Sequence, residues 1–482
     1  MNLSELLNSI ETLQIVGDSH KEILAISQDT RDITKRGTLY CALKGHEFDG
    51  HDYIDDAIKK GATTIVCKNI PALPVENITY IRVSEPQKNV GLLASCFYGN
   101  PSQKMSIVGV TGTNGKTTVA HATYSSLLHL GAQPLLISTA GDFFNGEEVH
   151  TEKKASSSIE PVTLHRTLAY YLEQGCTHAC LEVTSHALDQ DRANGISFDI
   201  AVFTNLTQDH LDYHKTMEHY SASKKKFFDA LTEDAVAITN TDSDYGMYMV
   251  KNTKAQVISY GQKDADITLS DITLSQEGQT FTINDKLVTS KQIGVFNAYN
   301  TTAVFIALVT LGYSDESIVQ SLSHIQSAKG RMQIIPNTTG ICAIVDYAHT
   351  PDALENVLVT LTDLPHKQII TVFGCGGDRD ALKRPQMAQI AEKYSDIVII
   401  TNDNPRTEDP EKIIADIAKG FSTENNDHQR IISREEAIEK AVTLASKDDI
   451  ILVAGKGHEE YQIIGTKKHS FSDQEVLKKY LV

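Results

Sequence analysis

Hydrophobic positions fall into short runs rich in Val, Ile and Leu, separated by longer stretches with helical spacing. Early in the chain, strands at Thr38-Leu-Tyr-Cys-Ala-Leu, Thr64-Ile-Val-Cys and Tyr80-Ile-Arg-Val mix with a helical stretch from Tyr53 to Lys60, which describes a small α/β unit. Turn chemistry at Asn100-Pro101-Ser102 marks a break, and Met105-Ser-Ile-Val-Gly-Val opens a new strand. Runs at Leu135-Leu-Ile-Ser, Thr177-His-Ala-Cys-Leu-Glu-Val, Ile200-Ala-Val-Phe-Thr-Asn and Ala235-Val-Ala-Ile-Thr-Asn then alternate with helical segments, the pattern of a mainly parallel sheet with helices on both faces. Residues 264–295 read as short alternating strands, an antiparallel accessory.

Near Lys329-Gly-Arg331 the alternation restarts. Strands are predicted at 342–346, 368–373, 396–401 and 449–454, with helices near 352–361, 386–394, 410–420 and 434–446. The fold class is therefore α/β with three domains: a small N-terminal unit over 1–101, a central mainly parallel unit over 102–328, and a Rossmann-like unit over 329–482. Each of the last four strands runs directly into a polar or glycine-rich cluster: Tyr347-Ala-His-Thr, Gly374-Cys-Gly-Gly-Asp-Arg-Asp, Asn402-Asp-Asn-Pro-Arg and Gly455-Lys-Gly-His-Glu. Ligands of open α/β sheets bind beyond the carboxyl ends of the strands, so four such clusters predict one composite site.

The length of 482 residues agrees with about three domains. Lys plus Arg is 44 and Asp plus Glu is 62, a net charge of −18, which argues against nucleic acid or anionic membrane as partners. The start lacks a basic segment followed by an apolar run, and no stretch reaches the roughly 18 apolar residues needed to span a bilayer; a cytoplasmic protein without membrane insertion is expected. Seven scattered cysteines, never spaced C-x-x-C, read as reduced thiols, with Cys176 and Cys180 as small buried residues.

The strongest local signal is Gly109-Val-Thr-Gly112-Thr113-Asn114-Gly115-Lys116-Thr117-Thr118, between an apolar strand and a helix. Backbone N–H groups of such a loop and the helix N-terminus cradle phosphates; Lys116 would neutralise the β/γ oxygens and Thr117 would offer its hydroxyl to Mg²⁺. The strict P-loop pattern is not met, because Val110 stands where it has its first glycine. A phosphate loop needs a metal partner, and Glu182, at the end of a strand, is placed to supply a carboxylate. His210 and His214 sit in a polar run after another strand. Lys224 to Lys226 precede Phe227-Phe228 and on composition read as a solvated helix face. Asp403-Asn-Pro-Arg406 places carboxylate, amide and guanidinium on one turn, where Arg406 could grip a carboxylate through its fork.

Together these motifs resemble the Mur ligase family of ATP-dependent amide-bond synthetases, and within it the members that add the third residue of the stem peptide. The likeness runs from Asp29-Thr-Arg31 and Gly45-His-Glu-Phe-Asp-Gly50 to Gly455-Lys-Gly-His-Glu459. It implies a UDP-binding N-terminal domain with Thr30, Arg31 and the His46 loop facing the nucleotide. Ser157, Ser158, Thr184, Gln190 and Arg192 match positions on the muramoyl substrate. Glu182 and His210 match ligands of two expected Mg²⁺ ions, and Lys224 matches a carbamylated lysine able to join them. Asn297, Asn300 and Arg331 match adenine-side positions; His349, Arg379, Asn404, Arg406, Gly455 and Glu459 match the pocket for the incoming amino acid, with Lys116, Lys224 and His349 as the catalytic set.

The resemblance thus implies ATP, a UDP-muramoyl dipeptide and meso-diaminopimelate as small-molecule partners of a monomeric enzyme. Diaminopimelate carries a second carboxylate that lysine lacks, and Arg406 is a natural partner for it. L-Lysine as the amino acid, a paralogous ligase acting on a related acceptor, and a non-catalytic nucleotide or UDP-sugar binding protein remain as alternatives. Departures from the family pattern, Ser157-Ser-Ile-Glu160 for Thr-Thr-Pro-Glu and Thr30 and Thr184 for serines, cluster on the acceptor side, and the stretch after Thr139 is unfamiliar.

Overall fold

The computed structural model describes residues 1–45, 48–151, 160–275, 278–422 and 428–481. Three main sheets follow one another along the chain, so the α/β reading holds. The first, of five strands, is parallel through Ala25–Ser27, Thr38–Cys41, Ala62–Cys67 and Thr79–Arg82, and Gln14–Val16 joins its edge antiparallel.

The central sheet has eleven strands. Its parallel core runs Gln256–Gly261, Val236–Asn240, Ile200–Phe203, Ser106–Thr111, His178–Glu182, Pro134–Ser138. Every residue of Ile200–Phe203 and Pro134–Ser138 is buried, as expected of parallel strands covered on both faces. One layer packs Val108, Val110 and Val202 against helices Lys116–His129 and Val295–Thr310 through Val119, Leu127, Val304 and Leu308. The other sets Ile107, Leu181 and Phe203 against Tyr220, Phe227 and Phe228 of helix Met217–Asp229. The accessory strands are present as Ile267–Ser275, Gly278–Ile283 and Lys286–Ser290, antiparallel to one another.

The opposite edge carries a hairpin that the apolar pattern does not announce. Gly141–Phe144 and Glu147–Val149 pair antiparallel beside Pro134–Ser138. Its turn is Asn145-Gly146, both with positive φ (48° and 92°), the chemistry of a tight two-residue hairpin. This is the stretch after Thr139 singled out in the sequence as unfamiliar. Phe144 packs on Tyr171 with ring centroids 4.8 Å apart.

The last sheet orders its parallel strands Cys342–Asp346, Ile450–Ala454, Ile369–Cys375, Ile397–Asn402, His428–Arg430, with Gln333–Ile334 antiparallel at the edge. Asp346 stands opposite Ala454, and Cys375 opposite Asn402, so the four predicted clusters leave neighbouring strand ends side by side. Arg434, wholly buried, bonds both oxygens of Asp473 (2.7 and 2.8 Å) and the carbonyls of Asn402 and Ala454, tying two of those ends together. All seven cysteines are free; Cys96 is part-exposed and the rest, Cys176 and Cys180 included, are buried. Among the described residues no helix is long and apolar enough to cross a membrane.

Candidate active site

Strand Ser106–Thr111 lies between the strands that end at Glu182 and Phe203, where the strand order changes direction. Its loop enters helix Lys116–His129 through Gly115, at φ 87°. A Cβ there would stand 2.5 Å from Asn300 Oδ1, and one on Gly112 would stand 1.9 Å from Thr204 Oγ1, so the turn admits only glycine at both places. Lys116 Nζ donates to the carbonyls of Gly112 (3.2 Å) and Thr113 (2.8 Å), curling over the loop. Burial holds its pKa below the usual ammonium range against the opposing pull of Glu182.

Glu182 Oε2 accepts from Thr117 Oγ1 (2.9 Å), Thr139 N (3.0 Å) and Thr139 Oγ1 (2.9 Å). Burial alone would raise its pKa; Lys116, the Thr139 bonds and Arg331 outweigh that and leave it lowered, an ionised carboxylate. Thr139 thus belongs to the site, although no sequence signal marked it. Arg331 reaches in from the start of the last unit: Nη2 is 3.4 Å from Thr117 Oγ1, its guanidinium lies over the Tyr347 ring at 4.4 Å, and its buried Nε has no partner. It therefore stands beside Thr117, at the start of helix Lys116–His129. Asn297 and Asn300 sit on helix Val295–Thr310, Asn300 Nδ2 donating to Asn297 Oδ1 at 3.0 Å.

The lysine triplet departs from its compositional reading. Lys224 is 1% exposed, and its Nζ donates to Gly112 O at 2.7 Å and lies over the Tyr220 ring at 4.7 Å. Lys225 is also buried, and only Lys226 meets solvent as expected. Burial first, and then the charge of Lys116, push Lys224 well below the usual amine pKa. His210 caps the short helix Leu211–His214 at φ 55°, with Nε2 3.4 Å from Asp209 Oδ2. Burial, against the pull of Asp209, holds it at about 4, so the ring is neutral near pH 7. Asp209, which sequence reasoning passed over, also faces His349 and Lys116 electrostatically.

His349 follows strand Cys342–Asp346; its Nδ1 lies 2.8 Å from Tyr347 O, and burial and Lys383 lower its pKa. Asn404 donates to Glu459 Oε2 (2.8 Å) and accepts from Ile463 N (2.9 Å) and from Lys456 Nζ (3.1 Å). Lys456, wholly buried, also meets Glu459 at 2.9 Å and holds this pair from behind. Arg406, at φ 51°, donates through Nη1 to Gly377 O at 2.7 Å and lies across Gly376. Arg379 is exposed on the same glycine-rich loop. Gly455, at φ 116°, turns the chain from strand Ile450–Ala454 toward Glu459.

On the acceptor side Arg192 donates to Gln190 Oε1 (2.6 Å) and pairs with Glu160 (3.4 Å). Glu160 in turn accepts from Gln28 Nε2 at 2.6 Å, joining the first and central units. Thr184 caps helix Ser185–Asp189. Thr30 is buried, whereas Arg31 projects into solvent, its side chain 78% exposed and held by Asp29. His46, Ser157 and Ser158 lie outside the described residues.

A glycine-rich phosphate cradle facing the strand ends of a second parallel sheet defines a three-domain P-loop α/β protein. Comparison with known proteins agrees domain by domain: residues 22–98 match the Mur ligase family catalytic domain, 110–308 the Mur ligase middle domain and 330–457 the Mur ligase glutamate ligase domain. The chain belongs to the Mur ligase family. It is 45% identical over 482 residues, 99% of each chain, to UDP-N-acetylmuramoyl-L-alanyl-D-glutamate--2,6-diaminopimelate ligase of Bacteroides thetaiotaomicron, and 39% identical to the same-named enzyme of Clostridioides difficile, over 99% of this chain and 98% of that one. A solved structure of that name superposes with a TM-score of 0.72 at 31% identity, covering 100% of this chain and 98% of the other. A MurF ligase from Thermotoga maritima in complex with ADP shares the fold at a TM-score of 0.65 and 19% identity, covering 96% of this chain and 97% of that one.

Proposed function

We propose that this protein uses ATP to join meso-diaminopimelate to UDP-N-acetylmuramoyl-L-alanyl-D-glutamate, as a cytoplasmic monomer in peptidoglycan precursor synthesis. The observation that carries the amino-acid choice is the strand-end cluster of Asn404, Glu459 and Arg406. One carboxylate, one amide and one anchored guanidinium face an amino acid whose far end carries both an ammonium and a second carboxylate. The full-length likeness to enzymes named for this reaction supports the same reading.

The reaction requires the γ-phosphoryl group of ATP to pass to the γ-carboxylate of D-glutamate, giving an acyl phosphate that the amine of diaminopimelate attacks. A tetrahedral intermediate then collapses to amide and phosphate. Lys116, released from the carbonyls of Gly112 and Thr113, would turn to the phosphate oxygens, and the unpartnered Nε of Arg331 offers a further donor beside them. The ionised Glu182 and the Thr117 hydroxyl offer hard oxygen donors that suit Mg²⁺, and His210, which feels the charges of Lys116 and Lys224, would be a further ligand. Bound there, the ion would neutralise charge between the phosphates and the acceptor carboxylate. Lys224, whose burial pushes its amine well below the usual pKa, would be suited to add to CO₂: a nitrogen–carbon bond would form, a proton would leave, and the resulting carbamate would become a second anionic ligand. His349, neutral and near Asp209, would take the proton that the diaminopimelate ammonium must lose before the free amine attacks. Domains 1–101, 102–328 and 329–482 would divide the UDP, ATP and amino-acid sites.

The test is phosphate release with product mass, offering ATP, Mg²⁺ and the UDP-dipeptide with diaminopimelate or lysine in parallel. A UDP-tripeptide formed only with diaminopimelate is expected. Preference for lysine would overturn the reading of Arg406. No product from protein that still binds ATP would overturn the acceptor.

A further inference from the structure

Around the first turns of the helix that carries Lys224 lies a second group of ligand atoms that the ligation reaction does not use. Asp189, His214 and His219 each present one donor atom, all within 4.8 Å of one another. They come from three segments: the end of helix Ser185–Asp189, the end of helix Leu211–His214, and the first turns of helix Met217–Asp229.

The hydrogen bonds leave lone pairs in excess there. His219 Nδ1 lies 3.0 Å from the carbonyl of His214 and must donate to it, so in the neutral ring Nε2 is a bare lone pair, 3.4 Å from Asp189 Oδ1. Buried His214 has Nε2 3.0 Å from Ser185 Oγ, and its Nδ1 meets only Ser223 Oγ, at 3.5 Å. The single Ser223 hydroxyl proton is best placed for His219 O at 2.8 Å, with Asp189 Oδ1 farther off at 3.2 Å. Asp189 is otherwise met by Tyr213 OH on Oδ2 (2.9 Å) and by the half-exposed Lys226 on Oδ1 (3.4 Å). Two imidazole nitrogens and a carboxylate oxygen converge, and the cation now beside them is a mobile surface ammonium.

We propose that Asp189, His214 and His219 form a binding site for a borderline transition-metal ion, Zn²⁺ by its donor set, distinct from the oxygen-rich Mg²⁺ position at Glu182. Two nitrogens and one oxygen suit Zn²⁺ and not Mg²⁺, and the Ser185 contact to His214 Nε2 is the outer hydrogen bond that fixes a ligating ring. Half-exposed His219 gives the ion its entry path and leaves the fourth position to water. The ion would clamp together the segments that carry His210 and Lys224, replacing the Lys226 ammonium on Asp189.

The test uses untagged full-length protein, stripped of metal and then held in saturating Mg²⁺, titrated with Zn²⁺ against a chromophoric chelator. The wild type is expected to take up one Zn²⁺ at micromolar affinity or better and to melt at a higher temperature with it. His219→Ala should lose at least tenfold in affinity and the thermal shift, while keeping its Mg²⁺-dependent turnover and its metal-free melting temperature. Lys226→Ala should bind Zn²⁺ more tightly, because the competing ammonium is gone. Equal affinity in wild type and His219→Ala, or weaker binding in Lys226→Ala, would overturn the site.

Discussion

Single side chains at the phosphate cradle do what their charge and reach dictate. Lys116 spends its hydrogen bonds on the loop that it would serve, so removing it leaves the fold intact and the transferring phosphoryl group unneutralised. Lys116→Ala should cut turnover by about 10³-fold or more with an unchanged melting temperature, read by phosphate release. Arg406 is the matching case for selectivity. Arg406→Ala should raise KM for diaminopimelate by about tenfold to a hundredfold and leave the poor use of lysine unaltered, measured as the ratio of kcat/KM values. Lys116 and Glu182 were legible in the sequence, the first because it opens a helix after a glycine-rich loop and the second because it ends a strand. Thr139, Asp209 and Lys456 were not, because nothing local marks a threonine after a strand as the partner of Glu182, or a lysine between two glycines as the partner of distant Asp403. The lysine triplet shows the limit from the other side: composition gave three solvated ammoniums, and packing of helix Met217–Asp229 against the sheet buried two of them.

Elements were readable wherever apolar runs were continuous, as in the parallel strands at 106–111, 200–203 and 450–454. The hairpin at 141–149 escaped because its strands are short and half-exposed; its one local signal was Asn145-Gly146. At this scale buried polar groups govern stability. Arg434 joins helix Arg434–Leu444 to Asp473 and to two strand ends, and removing it strands a buried carboxylate. Arg434→Ala should cost about 3–5 kcal/mol, measured from the denaturant midpoint. Helix Pro161–Glu173 buries His165, which burial holds at about 4 instead of the ordinary 6.5. Because the unfolded chain binds that proton first, the stability His165 contributes is fully present above pH 6.5 and is lost as the pH falls toward 4. The melting temperature should fall over that window, and less steeply in His165→Leu, as followed by calorimetry.

Across the whole molecule the nucleotide loop and the last domain already touch. Asp352, in the first turn of helix Pro351–Thr362, accepts from Asn114 Nδ2 and from Thr207 Oγ1, both at 2.9 Å. On the proposed function, this contact would align His349 and the amino-acid cluster with the phosphate loop, as closure of one domain on another requires. Asp352→Ala should leave ATP affinity within about twofold and lower kcat/KM for the amino acid about tenfold, separating alignment from nucleotide binding. A joint of one part-buried carboxylate and two uncharged donors is small, and water can take the place of either donor when it opens. In catalysis it would serve as a latch, lifted once in each cycle. A small molecule that bridged Asn114 and Asp352 would act as a splint: it would inhibit by immobilising the jaw while every substrate's own seat stayed vacant.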